Sequence, residues 1–267
     1  MTVNIDITKE LKAVEKLIKS DINKEKTILG LYNYIFKSDG KKIRSRLNLI
    51  ASSSSKNSHR YKLASIIELL HTATLVHDDV VDNASTRRGA ISVNSLWSNA
   101  HGVLIGDYIY SKAFMLMVEI GKKDILAELA DATNDISQGE LIQLDAISNI
   151  KISLNKLKKI SYFKTGRLFE ASAKTGAMLA GANKNFIKNI GESAKNIGIL
   201  FQIKDDLLDY SNTSKTGKQS FQDLKEGKVT YPFFFALKNS SQKEKKQLIS
   251  FLGDRKSTRL NSSHLVI

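Results

Sequence analysis

Cysteine is absent from the 267 residues of this chain, so disulfides, thiolate chemistry and Cys-based zinc or iron–sulfur sites are excluded. There is one proline, Pro232, so long unbroken helices are permitted almost everywhere. No apolar stretch approaches the roughly 18 residues that would mark a membrane span. The N-terminal stretch MTVNIDITKELKAVEKLIKSD carries charges throughout and lacks the apolar core of a signal peptide. These absences fit a cytoplasmic protein. Zinc-finger spacing, an RNP-like aromatic motif and a concentrated basic helix are also missing, which argues against nucleic acid as a partner.

What is present in excess is positive charge: 41 Lys and Arg against 27 Asp and Glu, a net charge of +14. Such a balance points to anionic partners, either a membrane surface or small polyanionic substrates. Many of the lysines (Lys122, Lys123, Lys151, Lys156, Lys158 and Lys159) fall at scattered positions of the kind that face solvent.

Nearly the whole chain reads as helix. Ile7, Leu11, Val14 and Leu17/Ile18 form one stripe of a first helix. Longer apolar helices are expected over Tyr61–Asp82, Leu96–Ile120, Lys123–Leu144, Leu154–Ala180 and Asn185–Tyr210, with Ser52–Ser58 a polar loop. Gly40, Gly89, Gly102, Gly121 and Gly181 mark boundaries. The expected architecture is all-α: a large single-domain bundle over residues 1–252, its longest helices central. Residues 253–267 are polar, lack periodicity and read as an atypical tail.

Two acidic clusters of one form stand out: Asp78-Asp79-Val-Val-Asp82 and Asp205-Asp206-Leu-Leu-Asp209. Residues four apart share a helix face, so each cluster makes a carboxylate ridge. Like charges at that spacing cost a helix roughly 0.2–0.5 kcal/mol per pair. Apolar neighbours (Leu75, Val76, Val80, Val81) argue against a merely solvated acidic helix end. A divalent cation with oxygen ligands is the natural counter-charge, and Mg²⁺ is usually held by one or two carboxylates plus substrate phosphates.

Basic elements accompany the ridges. Asn-Ala-Ser-Thr-Arg87-Arg88-Gly89 follows Asp82 directly, and the planar fork of arginine suits phosphate oxygens. Gly40-Lys41-Lys42-Ile-Arg44 precedes the first ridge; Gly217-Lys218 and Asp223-Leu-Lys-Glu-Gly227-Lys228 follow the second. Each is a weak signal alone, because basic loops are usually just solvated. Together with the acids they suit a substrate with several phosphates.

At this point the residues carry a resemblance. From about Ile28 to Ala236 the chain resembles the all-trans polyprenyl diphosphate synthases, and most the long-chain branch that makes quinone side chains. The carrying motifs are HTATLVHDD, RRG, VLIGDYIYSKAF, KTG, the second aspartate motif and DLKEGKVTYP, in that order. The resemblance implies the helical isoprenoid synthase fold, with a central cavity lined by the two aspartate helices. It implies that Asp78, Asp79, Asp82 and Asp205 bind three Mg²⁺ ions with the allylic diphosphate, with Asp206 and Asp209 completing the second wall. Arg87, Lys164, Lys218 and Lys228 would also hold the allylic diphosphate. Lys41, Arg44, His71 and Arg88 would hold isopentenyl diphosphate. Thr165 and Gln202 would stabilise the allylic cation, with Lys164 counted beside them as catalytic. A homodimer is implied, and the basic surface suggests peripheral membrane contact for product release.

One turn before Asp78 stand Ala73 and Thr74. A helix rises about 5.4 Å per turn, close to one isoprene unit, so side chains there are placed to gauge product length. Neither is large enough to block growth, and Leu70 and Ile66 continue the apolar row, so a long product is expected. In the first basic motif Asp39 and Ser45 stand where family members show a glycine and a proline, which implies an altered loop. Rival readings are a short- or medium-chain synthase, a terpene cyclase and a non-catalytic partner subunit. The second aspartate motif, with Lys41, Arg44 and His71, speaks against the cyclase, and the two intact aspartate motifs speak against the partner subunit.

Overall fold

A computed structural model describes residues 6–37, 40–211 and 221–253. The described chain is helical almost throughout: α1 (Ile7–Ile18), α2 (Lys26–Ile35), α3 (Ile43–Ala51), α4 (His59–Val81), α5 (Val93–Leu96), α6 (Asn99–Ile120), α7 (Lys123–Asp145), α8 (Leu154–Ser161), α9 (Arg167–Leu179), α10 (Lys184–Asp209), α11 (Gln222–Lys225), α12 (Tyr231–Asn239) and α13 (Gln242–Ser250). A hairpin of β1 (Thr86–Arg87) and β2 (Ala90–Ile91) follows α4, and a π-helical turn, Tyr162–Gly166, joins α8 to α9. Two compact units result, Met1–Thr133 with Leu168–Lys195, and Asn134–Arg167 with Asn196–Ile267; α7 and α10 pass from one to the other.

In the first unit α4 is the core. Every residue from Leu63 to Leu70 is buried, Ser65 and Glu68 among them, so this stretch has no solvent face and is enclosed on all sides. It packs against α1, α3 and α6. Burying each Leu or Ile contributes about 1.5–3 kcal/mol. α1 supplies Leu11, Val14 and Ile18 to this core, the stripe legible in the sequence. The Asp6 side chain starts α1 by accepting from Thr8 N and Lys9 N, both at 3.1 Å.

Gly102 differs from its sequence reading. It lies inside α6, where a Cβ would stand 2.5 Å from Val80 Cγ2. Gly106, one turn on, lies against the His77 ring. These two glycines let α6 close on the end of α4 that carries the first ridge. The expected helix from Leu96 is also interrupted at Trp97, and Ser98 caps a new start by accepting from His101 N.

The second unit has its own core of Ala146, Ile152, Leu157, Ile160, Val229, Tyr231 and Phe233. Pro232 sits in the first turn of α12, where its missing N–H has no helical partner to lose. A capping box of Ser241 and Glu244 starts α13. Among the described residues no helix is long and apolar enough to cross a membrane.

Candidate active site

The first ridge closes α4. Its middle carboxylate, Asp79, is only 5% exposed, and Arg87 Nε donates to its Oδ1 at 2.5 Å. Burial pushes the Asp79 carboxyl up; the guanidinium pulls it back down, and Asp78 and Asp82 add to the rise. Asp78 and Asp82 stay partly accessible. Arg87 reaches Asp79 because the RRG segment is a hairpin, not a loose loop. Thr86 and Arg87 pair with Ile91 and Ala90, and the turn residues Arg88 and Gly89 have φ of 51° and 78°. Two positive φ values in a two-residue turn match the strand twist.

Arg88 then lies over Gly40, whose absent Cβ would stand 2.7 Å from the Arg88 Nη1. Lys42 takes a left-handed conformation (φ 47°) at the start of α3 and pairs with Glu15 at 2.6 Å. Arg44 projects from α3 over the Phe169 ring, 4.6 Å from its centroid, and its Nη1 lies 3.0 Å from His71 Nε2. A guanidinium only donates, so Nε2 accepts and the neutral ring carries its proton on Nδ1. Burial, then Arg44, Arg88 and Arg87, hold the His71 pKa well below its usual value. The structure thus brings together Arg44, His71, Arg87, Arg88 and Asp79. The Lys41 side chain is exposed, and its carbonyl accepts from Arg46 Nε at 2.9 Å. Ser45 is fully buried, donating to Glu68 Oε2 at 2.9 Å.

His77 belongs to the packing rather than to the ridge. Its Nε2 lies 3.1 Å from Val103 O and 3.3 Å from Asp107 Oδ1, and its ring stacks on Tyr110. Ala73 is fully buried, and the Thr74 hydroxyl donates back to His71 O at 2.7 Å. A cavity of about 400 Å³ beside α4 takes its α4 lining from Glu68, Thr72, Leu75, Val76 and Asp79, a different set from Ala73 and Thr74.

The second ridge closes α10. Asp206 is also 5% exposed, but its partners are dipoles: Gln202 Nε2 donates to Oδ1 at 2.8 Å, and Tyr231 N to Oδ2 at 3.4 Å. Burial raises the Asp206 carboxyl, and these two hydrogen bonds oppose the rise. Thr165 Oγ1 donates to Gln202 Oε1 at 2.6 Å, so Thr165, Gln202 and Asp206 form one chain. Asp205 is exposed. Asp209 accepts from Gln222 N and Asp223 N at 3.0 and 3.1 Å, tying down the start of α11. Lys164 pairs with Glu140 and Lys228 with Glu226, the latter at 2.7 Å. Lys218 lies outside the described residues.

Asp223, within the Asp223-Leu-Lys-Glu-Gly227-Lys228 segment, joins the site although its sequence does not single it out. Burial pushes this carboxyl up to about 7 despite Lys228, with Asp209, Asp206 and Glu226 adding to the rise. Such a carboxyl close to the second ridge is a candidate for function. Its only sequence signal was its place in a Gly-ended basic turn.

Among the described residues no three carboxylate or imidazole groups converge closely enough to hold a metal ion by themselves. The donors at both ridges are hard carboxylate oxygens, the type that binds Mg²⁺ jointly with phosphate.

Comparison with known proteins agrees with the site chemistry. The polyprenyl synthetase family profile matches residues 25–265. The octaprenyl diphosphate synthase of Haemophilus influenzae is 36% identical over 239 residues, covering 88% of this chain and 73% of that protein. The decaprenyl-diphosphate synthase of Dictyostelium discoideum is 38% identical over 95% of this chain and 57% of its own length. Among solved structures, octaprenyl pyrophosphate synthase from Helicobacter pylori superposes with a TM-score of 0.83 at 31% identity, covering 96% of this chain and 85% of that one. Polyprenyl synthase from Caulobacter crescentus, complexed with calcium and isoprenyl diphosphate, gives 0.84 at 30% identity, covering 92% and 81%. The chain therefore belongs to the polyprenyl synthetase family of transferases, with the helical isoprenoid synthase fold, on its all-trans long-chain branch.

Proposed function

We propose that the chain condenses isopentenyl diphosphate with an allylic diphosphate, such as farnesyl or geranylgeranyl diphosphate, into a long all-trans polyprenyl diphosphate destined for a quinone side chain. The carrying observation is the repeated ridge: in a chain of this family, two Asp-Asp-x-x-Asp helix ends each bury their central carboxylate. Asp78, Asp79, Asp82, Asp205, Asp206 and Asp209 would hold three Mg²⁺ ions jointly with the allylic diphosphate. Bound there, Mg²⁺ supplies Lewis-acid stabilisation of the charge that develops on the leaving group.

The chain's own groups do the rest. Arg87, Lys164, Lys218 and Lys228 bind the allylic diphosphate, and their fixed positive charge offsets the negative charge that builds on the leaving group when the C–O bond breaks. The electron pair of that bond leaves with the diphosphate. Thr165 and Gln202 direct oxygen dipoles at the allylic cation. Lys41, Arg44, His71 and Arg88 hold isopentenyl diphosphate so that its double bond forms the new C–C bond. A proton then leaves the adjacent carbon for a diphosphate oxygen, which restores a double bond. His71 acts in this scheme as a neutral hydrogen-bonding group. Apolar walls exclude the water that would hydrolyse the cation.

Incubation of the purified protein with Mg²⁺, isopentenyl diphosphate and farnesyl diphosphate tests the reading. Elongated all-trans product is expected; a cyclic hydrocarbon, or turnover only after a partner protein is added, would overturn it. Ala73 and Thr74 gauge product length in the same reading. Ala73→Tyr should shorten the product on chromatography, and unchanged length would remove them from that role. Homodimer assembly, a cytoplasmic location and peripheral membrane contact complete the proposal. Binding to anionic liposomes should weaken as salt rises.

A further inference from the structure

We propose that Glu140, on α7, is a positioning residue that sets Lys164 for the allylic diphosphate; this rests on the role given to Lys164 above. Lys164 lies in the π-helical turn Tyr162–Gly166, where Arg167 N–H donates to Tyr162 O in the wide i→i+5 pattern. Such single turns within a helix are rare and tend to mark functional sites. The added residue re-aims the side chains of the turn relative to a regular helix, and Lys164 and Thr165 are the residues so aimed.

Three consecutive features of α7 hold this turn. Asp135 Oδ2 accepts from Arg167 Nε at 2.7 Å. Gly139, one turn on, allows contact: a Cβ there would stand 2.7 Å from Phe163 Cβ and 3.0 Å from Lys164 N. Glu140 then places both oxygens on the Lys164 ammonium, Oε1 at 2.9 Å and Oε2 at 3.0 Å. A lysine ammonium is a point charge on a flexible four-carbon stem, so its location is set by what it is paired with. Both partners are partly buried, with side-chain exposures of 21% for Lys164 and 25% for Glu140. On the next residue the Thr165 hydroxyl leads to Gln202 and Asp206. Fixing Lys164 therefore also fixes the turn from which that chain of hydrogen bonds begins. Glu140 lies outside both aspartate motifs, so holding this cation is the role its contacts support.

Steady-state kinetics with each substrate varied in turn, on the full-length protein, tests the proposal. Glu140→Gln should lower kcat/KM for the allylic diphosphate on the order of tenfold, as expected for loss of one charge-assisted contact. KM for isopentenyl diphosphate and the melting temperature should change little. The double variant Glu140→Gln/Lys164→Met should be no worse than Lys164→Met alone, because both remove one interaction. Multiplying losses, or equal losses on both substrates, would overturn the positioning role. Should Glu140→Gln not fold, Glu140→Asp serves: a loss confined to the allylic diphosphate supports the proposal, and a loss on both substrates overturns it. If Lys164→Met leaves the allylic kcat/KM unchanged, the role of Lys164 itself fails, and that outcome is distinct from an additive double variant.

Discussion

The two aspartate ridges share a sequence pattern, and their central carboxylates are equally buried, yet they are stabilised differently. Asp79 faces a full opposite charge, brought back by a hairpin only a few residues further along the chain. Asp206 faces partial charges: an amide from its own helix and the first backbone N–H of α12. A guanidinium sits on a flexible side chain that suits phosphate oxygens as well as carboxylates, whereas a backbone N–H is fixed to the fold. The motif alone, read as charges on a helix, does not distinguish them.

The sharpest test of this contrast compares turnover with stability. Asp79→Asn and Asp206→Asn should each reduce turnover about a thousandfold, the upper range for removing one electrostatic contributor. Their stabilities should part. Asp79→Asn leaves Arg87 facing an amide and should cost about 1–2 kcal/mol in chemical denaturation. Asp206→Asn should cost less, because burial disfavours the charge it removes, the amide oxygen still accepts from Tyr231 N, and the Gln202 amide can turn so that its oxygen accepts from the new NH2. Equal losses would end the distinction.

Arg87→Met approaches the first ridge from the other side. Turnover should drop about a hundredfold. Stability should fall by about 2 kcal/mol, less than for a fully buried pair, since 32% of the Arg87 side chain is exposed. Gln202→Leu, the matching change at the second ridge, should cost about 1–2 kcal/mol, with Tyr231 N still in place.

Each region is also docked by a glycine, and the two should respond unequally. Gly139→Ala drives a methyl toward the Lys164 backbone, which cannot swing away; overpacking should cost about 1–3 kcal/mol, offset by about 0.5–1 kcal/mol of helix propensity. Gly106→Ala meets the His77 imidazole, which can rotate, so its net cost should be smaller. Thermal melts of the two variants check the order.

Two pH slopes of opposite sign are expected from the buried titratable groups. His71 is held below its unfolded pKa, so under about pH 6.5 the unfolded chain binds the extra proton. Stability from this group is intact above that pH and is lost as pH falls. Asp223 is held up to about 7, so between its unfolded pKa and that value the folded chain binds the extra proton, and stability is lost as pH rises. Each slope is at most about 1.4 kcal/mol per pH unit. His71→Gln should remove the first slope and Asp223→Asn the second, read from denaturation between acid and neutral pH.

Much of this was legible in the sequence because helices are local. The burial of Leu11, Val14 and Ile18, the long α4 and α10 and the two ridges follow from periodicities set by backbone geometry. The RRG hairpin was not legible: its turn uses Arg-Gly in place of the Asn-Gly or Asp-Gly that signal such a turn, and arginine rarely adopts the left-handed conformation that Arg88 has. Gly102 read as a boundary because a glycine looks alike at a helix end and at a helix crossing; only Val80 on the other helix distinguishes them.

The sequence by itself determined an all-helical chain, two metal-suited carboxylate ridges, a set of cations around them and a family resemblance. These depend on residue type and on spacing within a few turns. Only the tertiary structure decided which carboxylates are buried, that Asp79 is matched by a charge and Asp206 by dipoles, and that Glu140 holds Lys164. Burial and pairing depend on groups that a hairpin turns back, as Arg87 to Asp79, or that meet only when distant elements pack, as Tyr231 with Asp206 and Glu140 with Lys164. The aspartate ridges are therefore written in the sequence, while the neighbours that tune them are set by the fold.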